Sequence, residues 1–197
     1  MTLIIEGKRL RLRDLKLEDI PHGEKWLHPD NEWHKTNGPY FPPAPADRIP
    51  DIMAMWKRKI EEDNYPAPRM RLCIADSETD TIMGMVTRYW ISEETNWTAI
   101  GITIWNPEHW GMGFGYEAFG LWCDYLFAEE QSFVRLDART WSGNHGMMRL
   151  AEKLGFTQEA TFRMARIVND EYYDGLGYGI LRSEWEARYP DGFGASL

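Results

Sequence analysis

Trp105-Asn106-Pro107-Glu108-His109-Trp110-Gly111-Met112-Gly113-Phe114-Gly115-Tyr116 is the stretch on which the fold turns. It joins an apolar run of strand character to a run of helical character, and glycine recurs at every second position from 111 to 115. Alternate glycines let the backbone aim successive amide hydrogens at one point. With the positive end of the following helix, those amides form a site for phosphate or pyrophosphate that needs no basic side chain. A merely tight strand-to-helix turn is the alternative. Two other phosphate loops fit poorly. The dinucleotide fingerprint asks for glycine or alanine where Tyr116 stands, within repeated parallel strand-helix-strand units. The nucleotide P-loop asks for Gly-Lys and then Ser or Thr, whereas Gly113 and Gly115 precede Phe114 and Tyr116. Asp137, in the next strand, could imitate a ribose-binding acid, but a mid-strand acid is expected to face solvent.

Working outward, RMRLCIAD (69–76), TIMGMVTRYWIS (81–92) and WTAIGITIW (97–105) are three strand-like runs separated by polar turns, and they predict an antiparallel meander. After the loop come a helix over about 116–129, a strand FVRLDART (133–140), and a short helix opening near Asn144 and stopped by Gly155. Two further strands, roughly 156–168 and 171–181, meet at Asn169-Asp170 in a tight hairpin. Ahead of the meander, RLRLRDL (9–15) alternates like a half-buried strand, and helices are expected over 17–27 and 48–62. Between those helices, residues 33–50 hold five prolines and read as a long ordered loop or lid. The resulting order predicts an α/β fold, a mixed and largely antiparallel sheet flanked by helices.

The 197 residues suit one domain, 1–197, and 43% apolar with 14% aromatic residues supply a real core. Lys plus Arg number 22 against 31 Asp plus Glu, a net charge of -9. That balance argues against nucleic-acid and anionic-membrane partners and suits cationic small molecules better. No run approaches the ~20 apolar residues of a membrane span, and the start has only a short apolar run before Lys8 and Arg9, so a cytoplasmic location is expected. Cys73 and Cys123 have neither metal-ligand spacing nor the density of a disulfide framework, and no metal is expected.

WNPEHWGMGFGYEAF, followed about thirty residues later by Asn144 and RLAEKLGF, resembles the GNAT-type N-acetyltransferases. The branch that acetylates ribosomal-protein amino termini is most similar, with spermidine N-acetyltransferases close behind. The opening RLRLRDLKLEDI and the closing ARIVNDEYYDGLGYGILRSEWEAR extend the resemblance over nearly the whole chain. It implies an acyl-CoA N-acyltransferase type of fold, with acetyl-CoA in a cleft where two neighbouring strands splay apart. The pyrophosphate would lie on the amides of Trp110, Gly111, Met112, Gly113, Phe114, Gly115 and Tyr116, and the pantetheine arm against Thr103, Ile104 and Trp105. Asn144 matches the family's asparagine near the pantetheine and is also an expected helix N-cap. Trp110 stands where the family's loop often opens with Gln or Arg. The branch makes a homodimer plausible.

Acetyl transfer needs a neutral amine more than it needs an acid. Deprotonating an alkyl amine at pH 7 costs roughly 4 to 5 kcal/mol, whereas thiolate departure asks only about 2. The family's usual acids, a tyrosine seven residues after the asparagine or a serine three after it, correspond to Ala151 and Met147, which have no proton to give. Nearby donors are His145, Tyr172 and Tyr173, and Glu93, Glu94 and Glu108 flank the expected cleft, but each has an ordinary surface or packing role. The catalytic acid and base stay unassigned. Arg149 and Lys153 could meet CoA phosphates or simply favour the helix dipole. Trp33, Tyr40 and Phe41, with Trp90 and Trp141, are expected near the acceptor, where ring faces attract ammonium groups, although core packing accounts for each ring singly. The expectation is direct acetyl transfer from acetyl-CoA to a primary amine, a protein amino terminus or a small molecule; the alternative is a catalytically silent CoA-binding or regulatory module.

Overall fold

A computed structural model describes residues 3–197; residues 1 and 2, part of the single-domain expectation, lie outside the described residues. Its strands are β1 (Ile4–Glu6), β2 (Leu10–Arg13), β3 (Arg71–Asp76), β4 (Ile82–Ser92), β5 (Trp97–Ile104), β6 (Arg135–Trp141), β7 (Thr157–Val168) and β8 (Glu171–Leu181). They form one sheet in the order β1-β2-β3-β4-β5-β6-β8-β7. Every neighbouring pair is antiparallel except β5 with β6. That exception follows from the chain: β5 and β6 are joined by the glycine loop and a sixteen-residue helix, and a helical crossover returns a strand parallel to its predecessor. The expected α/β class and mixed, largely antiparallel sheet are both present.

The helices are α1 (Ile20–Leu27), α2 (Ile49–Glu62), α3 (Phe114–Glu129), α4 (His145–Leu154) and α5 (Arg182–Arg188). α3 is apolar around most of its circumference, and it is buried accordingly: Phe119, Leu121, Trp122 and Leu126 pack on Leu12, Ile74, Val86 and Ile100 on one face of the sheet. The amphipathic α1 and α2 cover the opposite face of β2 to β4, where Ile49, Met53 and Trp56 meet Cys73, Ile82 and Trp105. Gly23 is required there, since a Cβ would stand 2.4 Å from the Trp56 ring. At the hairpin, Asn169 and Asp170 both have positive φ (51° and 63°), the conformation of a two-residue turn that matches strand twist.

Several local expectations are corrected. β1 and α5 were not foreseen, being three and seven residues long. The helix expected over 17–27 divides into a 3-10 turn, Leu17–Asp19, and α1, with Pro21 in the first helical turn. Asp137 does not face solvent; it is buried, and its Oδ1 accepts from Arg135 Nε at 2.7 Å. Arg13 is buried too, held by Asp19 at 2.7 and 2.9 Å and by Asp80 at 2.8 Å.

Candidate active site

β5 and β6 pair only from Thr98 to Ile100 against Leu136 to Ala138. Beyond that point β5 stays with β4 as far as Ile104, β6 stays with β8 as far as Trp141, and the two diverge into a fork. Backbone groups alternate sides along an antiparallel strand. The Trp105 N–H donates to the Met83 carbonyl at 3.0 Å, so Trp105 and Thr103 address β4, while Ile102 and Ile104 address the gap. A cavity of about 620 Å³ occupies the fork, and Ile102, Thr103 and Ile104 form its floor. Ile102 and Ile104 belong to the α3 side of the sheet and Thr103 to the other, so the cavity reaches both faces. Trp105 falls outside it: its ring is buried in the core under α1 and α2, and its N–H is already bonded.

The glycine loop closes one end. Trp110, Gly111, Gly113, Gly115 and Tyr116 line the cavity, whereas Met112 points to solvent and Phe114 lies beneath Arg9. Gly111 and Gly113 have φ of +74° and +90°, open to glycine and strained for most other residues. The Trp110 indole does not reach forward as an arginine would; its Nε1 donates back to the Ile104 carbonyl at 2.8 Å.

Arg9, more than a hundred residues away, is the part of this wall that the sequence did not reveal. Its Nη1 donates to the Met112 carbonyl at 2.9 Å, and its guanidinium lies 4.6 Å over the Phe114 ring. In a trans peptide the carbonyl and the next N–H point in opposite directions, so holding the Met112 carbonyl on Arg9 turns the Gly113 N–H toward the cavity. Glu117, only 2% exposed, braces the arrangement. One carboxylate oxygen accepts the N–H groups of Lys8, Arg9 and Leu10 at 2.7, 2.8 and 3.2 Å; the other receives Arg9 Nε at 3.4 Å.

The facing wall is α4. Asn144 caps it, its Oδ1 accepting the Met147 N–H at 3.0 Å, and its Nδ2 donates to the Thr36 carbonyl at 3.1 Å. Trp141 Nε1 donates to the same carbonyl at 3.1 Å. The proline-rich loop is thereby fastened to the start of α4, and Thr36 and Asn37 line the cavity beside Asn144 and His145. Arg149 and Lys153 also line it, with Lys153 Nζ 4.2 Å over the Tyr116 ring, so both cations address the space next to the glycine loop. Burial, then the neighbouring Tyr189, pushes the Tyr116 phenol up to about 12, which keeps it a neutral donor. Met147 lines the cavity and Ala151 is fully buried, so no hydroxyl stands at either position.

The aromatic residues separate by role. Trp33 is 7% exposed, stacks on His34, and donates Nε1 to the Trp26 carbonyl at 2.6 Å, as a core residue under the loop. Tyr40 is half-buried, with the Arg166 guanidinium 4.4 Å over its ring, and Phe41 is 69% exposed. None of the three lines the cavity. Trp90 packs edge-on against Phe133 and Trp141 against Tyr173. Tyr172, Tyr173, Glu93, Glu94 and Glu108 do not line the cavity either, and Tyr173 is bonded to Glu171. His145 is the imidazole that does.

The model of the acetyltransferase (GNAT) domain family matches residues 9–157 of this chain. The chain is 25% identical over 184 residues to the SPbeta prophage-derived uncharacterized N-acetyltransferase YokL of Bacillus subtilis (strain 168), covering 93% of this chain and 96% of that one. Among solved structures it is similar to a GNAT-family acetyltransferase from Bacillus anthracis, with a TM-score of 0.72 and 19% identity over 92% of this chain and 100% of that chain. A spermidine N-acetyltransferase from Vibrio cholerae, solved in complex with CoA and spermine, gives a TM-score of 0.70 and 21% identity over 90% and 98% of the two chains.

Proposed function

The chain belongs to the acetyltransferase (GNAT) domain family, and from that premise we propose that residues 1–197 act as one domain that moves acetyl from acetyl-CoA directly to a primary amine. The observation that carries this reading is the fork: the glycine loop at the start of α3 and the unpaired edge of β5 open into one cavity that reaches both faces of the sheet. A pyrophosphate suits the loop amides, with the α3 dipole and the Arg149 and Lys153 cations adding positive potential. The pantetheine suits the edge of Ile102 and Ile104, its thioester lying in the fork, and the amine enters past Thr36 and Asn37.

In the transfer, the nitrogen lone pair forms the new C–N bond, the thioester C–S bond breaks, and the proton lost by nitrogen ends on sulfur, giving the amide and free CoA thiol. Backbone N–H groups at the fork are suited to the thioester oxygen as it gains charge. His145 is the one imidazole at the cavity wall and can pass the proton. The family branch and the spermidine enzyme name two acceptor classes, a protein amino terminus and a polyamine. Buried, free Cys73 and Cys123 accord with a reducing cytoplasm, and a homodimer with the branch.

A second reading, a CoA-binding module without turnover, draws on Met147 and Ala151, where no hydroxyl is present. Calorimetric titration with acetyl-CoA, followed by thiol release over an amine panel, separates the two. Binding with turnover is the expected result; binding with none, on any amine, favours the module, and no binding removes the proposal.

A further inference from the structure

Thr36, where the proline-rich loop meets the fork, uses its carbonyl three times. Two of the donors come from the fork, Trp141 Nε1 and Asn144 Nδ2, and the third is the Gly38 N–H of the loop itself, each at 3.1 Å. The carbonyl and the next N–H of a trans peptide point in opposite directions. The Asn37 N–H accordingly runs back to the Trp33 carbonyl at 3.2 Å, and that carbonyl also takes the Thr36 N–H at 3.2 Å and the Thr36 hydroxyl at 3.0 Å. Trp33 is itself part of the core under α1 and α2. The peptide between Thr36 and Asn37 is thus held from the core on one side and from the fork on the other.

The support from the fork is made of buried parts. Trp141 is 6% exposed, stands edge-on to Tyr173 with ring centres 4.8 Å apart, and does not line the cavity. A Cβ on Gly143 would overlap the Trp141 ring, so the chain passes from β6 to α4 directly against it. The indole has one polar group, its N–H, and Thr36 receives it. Asn144 uses its carboxamide on both sides, for the α4 cap through Oδ1 and for Thr36 through Nδ2.

What this bracing presents is Asn37. The bond from the Gly38 N–H to the Thr36 carbonyl makes Asn37 the middle residue of a three-residue turn. Asn37 lines the cavity beside Thr36, Asn144 and His145, it is exposed, and among the described residues its carboxamide makes no hydrogen bond. A fixed backbone under an unengaged side chain leaves little to be ordered when a ligand arrives. A carboxamide oxygen accepts from an amine N–H, and being neutral it does not favour the ammonium form as a carboxylate would. The neutral amine is the form that attacks a thioester.

We infer that Asn37 meets the acceptor amine, its Oδ1 accepting an amine N–H, and that Trp141 is a positioning residue that sets Asn37 through the Thr36 carbonyl. This rests on the acetyl-transfer reading above and adds to it an acceptor contact and the support of that contact.

The test measures thiol release from acetyl-CoA with hexylamine, glycinamide and spermidine, and follows whichever amine the wild type uses best. Asn37→Ala should raise the amine KM about tenfold, and Trp141→Phe, which keeps a ring and loses the N–H, about fivefold, the range of one lost hydrogen bond. Both should leave the acetyl-CoA KM within about twofold of wild type, as expected for contacts made to the amine alone. Because Trp141 acts through Asn37, the double variant should be no worse than Asn37→Ala, whereas two independent losses would add. Asn37→Asp should hold the amine well but move the rise of kcat to higher pH, since a carboxylate keeps the amine protonated. Additive losses, an unchanged amine KM in Asn37→Ala, an acetyl-CoA KM that rises with the amine KM, or an unmoved profile in Asn37→Asp would overturn the inference and leave acetyl transfer standing. A wild-type chain that binds acetyl-CoA and acetylates none of the three amines removes both.

Discussion

The two ends of the fork are built from different materials. At the glycine-loop end the wall is largely backbone, a run of amides at the start of α3, and Arg9 and Glu117 behind it fix peptide planes. At the other end the wall is Thr36 and Asn37 of the proline-rich loop with Asn144, His145 and Met147 at the start of α4, brought together only by contacts across more than a hundred residues. A backbone wall is specified by a few adjacent residues and tolerates change in their side chains. A wall of side chains is specified by distant residues, each of which matters singly. The first is suited to an invariant co-substrate, the second to a particular acceptor.

The sharpest way to break this division is Trp33→Ala. As a buried core residue it should cost about 3 kcal/mol of stability, read from the urea midpoint, through the cavity left behind. Unchanged stability with a raised amine KM would return Trp33 to the acceptor wall. Gly113→Val comes next: with φ at +90° and a Cβ 2.9 Å from Arg9 Nη2, the loop cannot keep its shape, and CoA affinity by calorimetry should fall at least a hundredfold while the melting temperature moves little. Arg9→Gln should weaken CoA about tenfold, near 1.4 kcal/mol, by releasing the Met112 carbonyl. Acetyl-pantetheine, which lacks the pyrophosphate, should be used as well as before, and equal losses with both donors would show that Arg9 only supports the fold. Asn144→Ala joins the two ends, removing a helix cap worth about 1 kcal/mol and one of the two bonds to Thr36, so both KM values should rise. Met112→Ala, at an exposed position, should change CoA affinity less than twofold.

The same division explains what could be read from the sequence. The glycine loop, the strands of the meander and the capped α4 are local patterns, and they lie where the spacing placed them. Asn144 was visible as a cap, but its second bond, to Thr36, crosses 108 residues and has no local signature. Arg9 read as one polar residue in an alternating strand, and nothing in that pattern pointed to Met112. Asp137 misled because mid-strand acids usually face water, whereas this one is paired with Arg135 across two residues of its own strand. Two of the ring faces expected to await an ammonium group, Tyr40 and Trp90, already carry Arg166 and Arg88.

The parting of β5 from β6 also has a signature in time. Ile102 and Ile104 sit within a strand whose other edge is fully laddered, yet their own amides face a gap with no partner strand. In deuterated water those two positions should exchange far faster than Gly101 and Thr103 beside them, an alternation of slow and fast amides along a single strand. A co-substrate that completes the ladder would erase the alternation, so the empty protein and the loaded one would differ at every second residue of four.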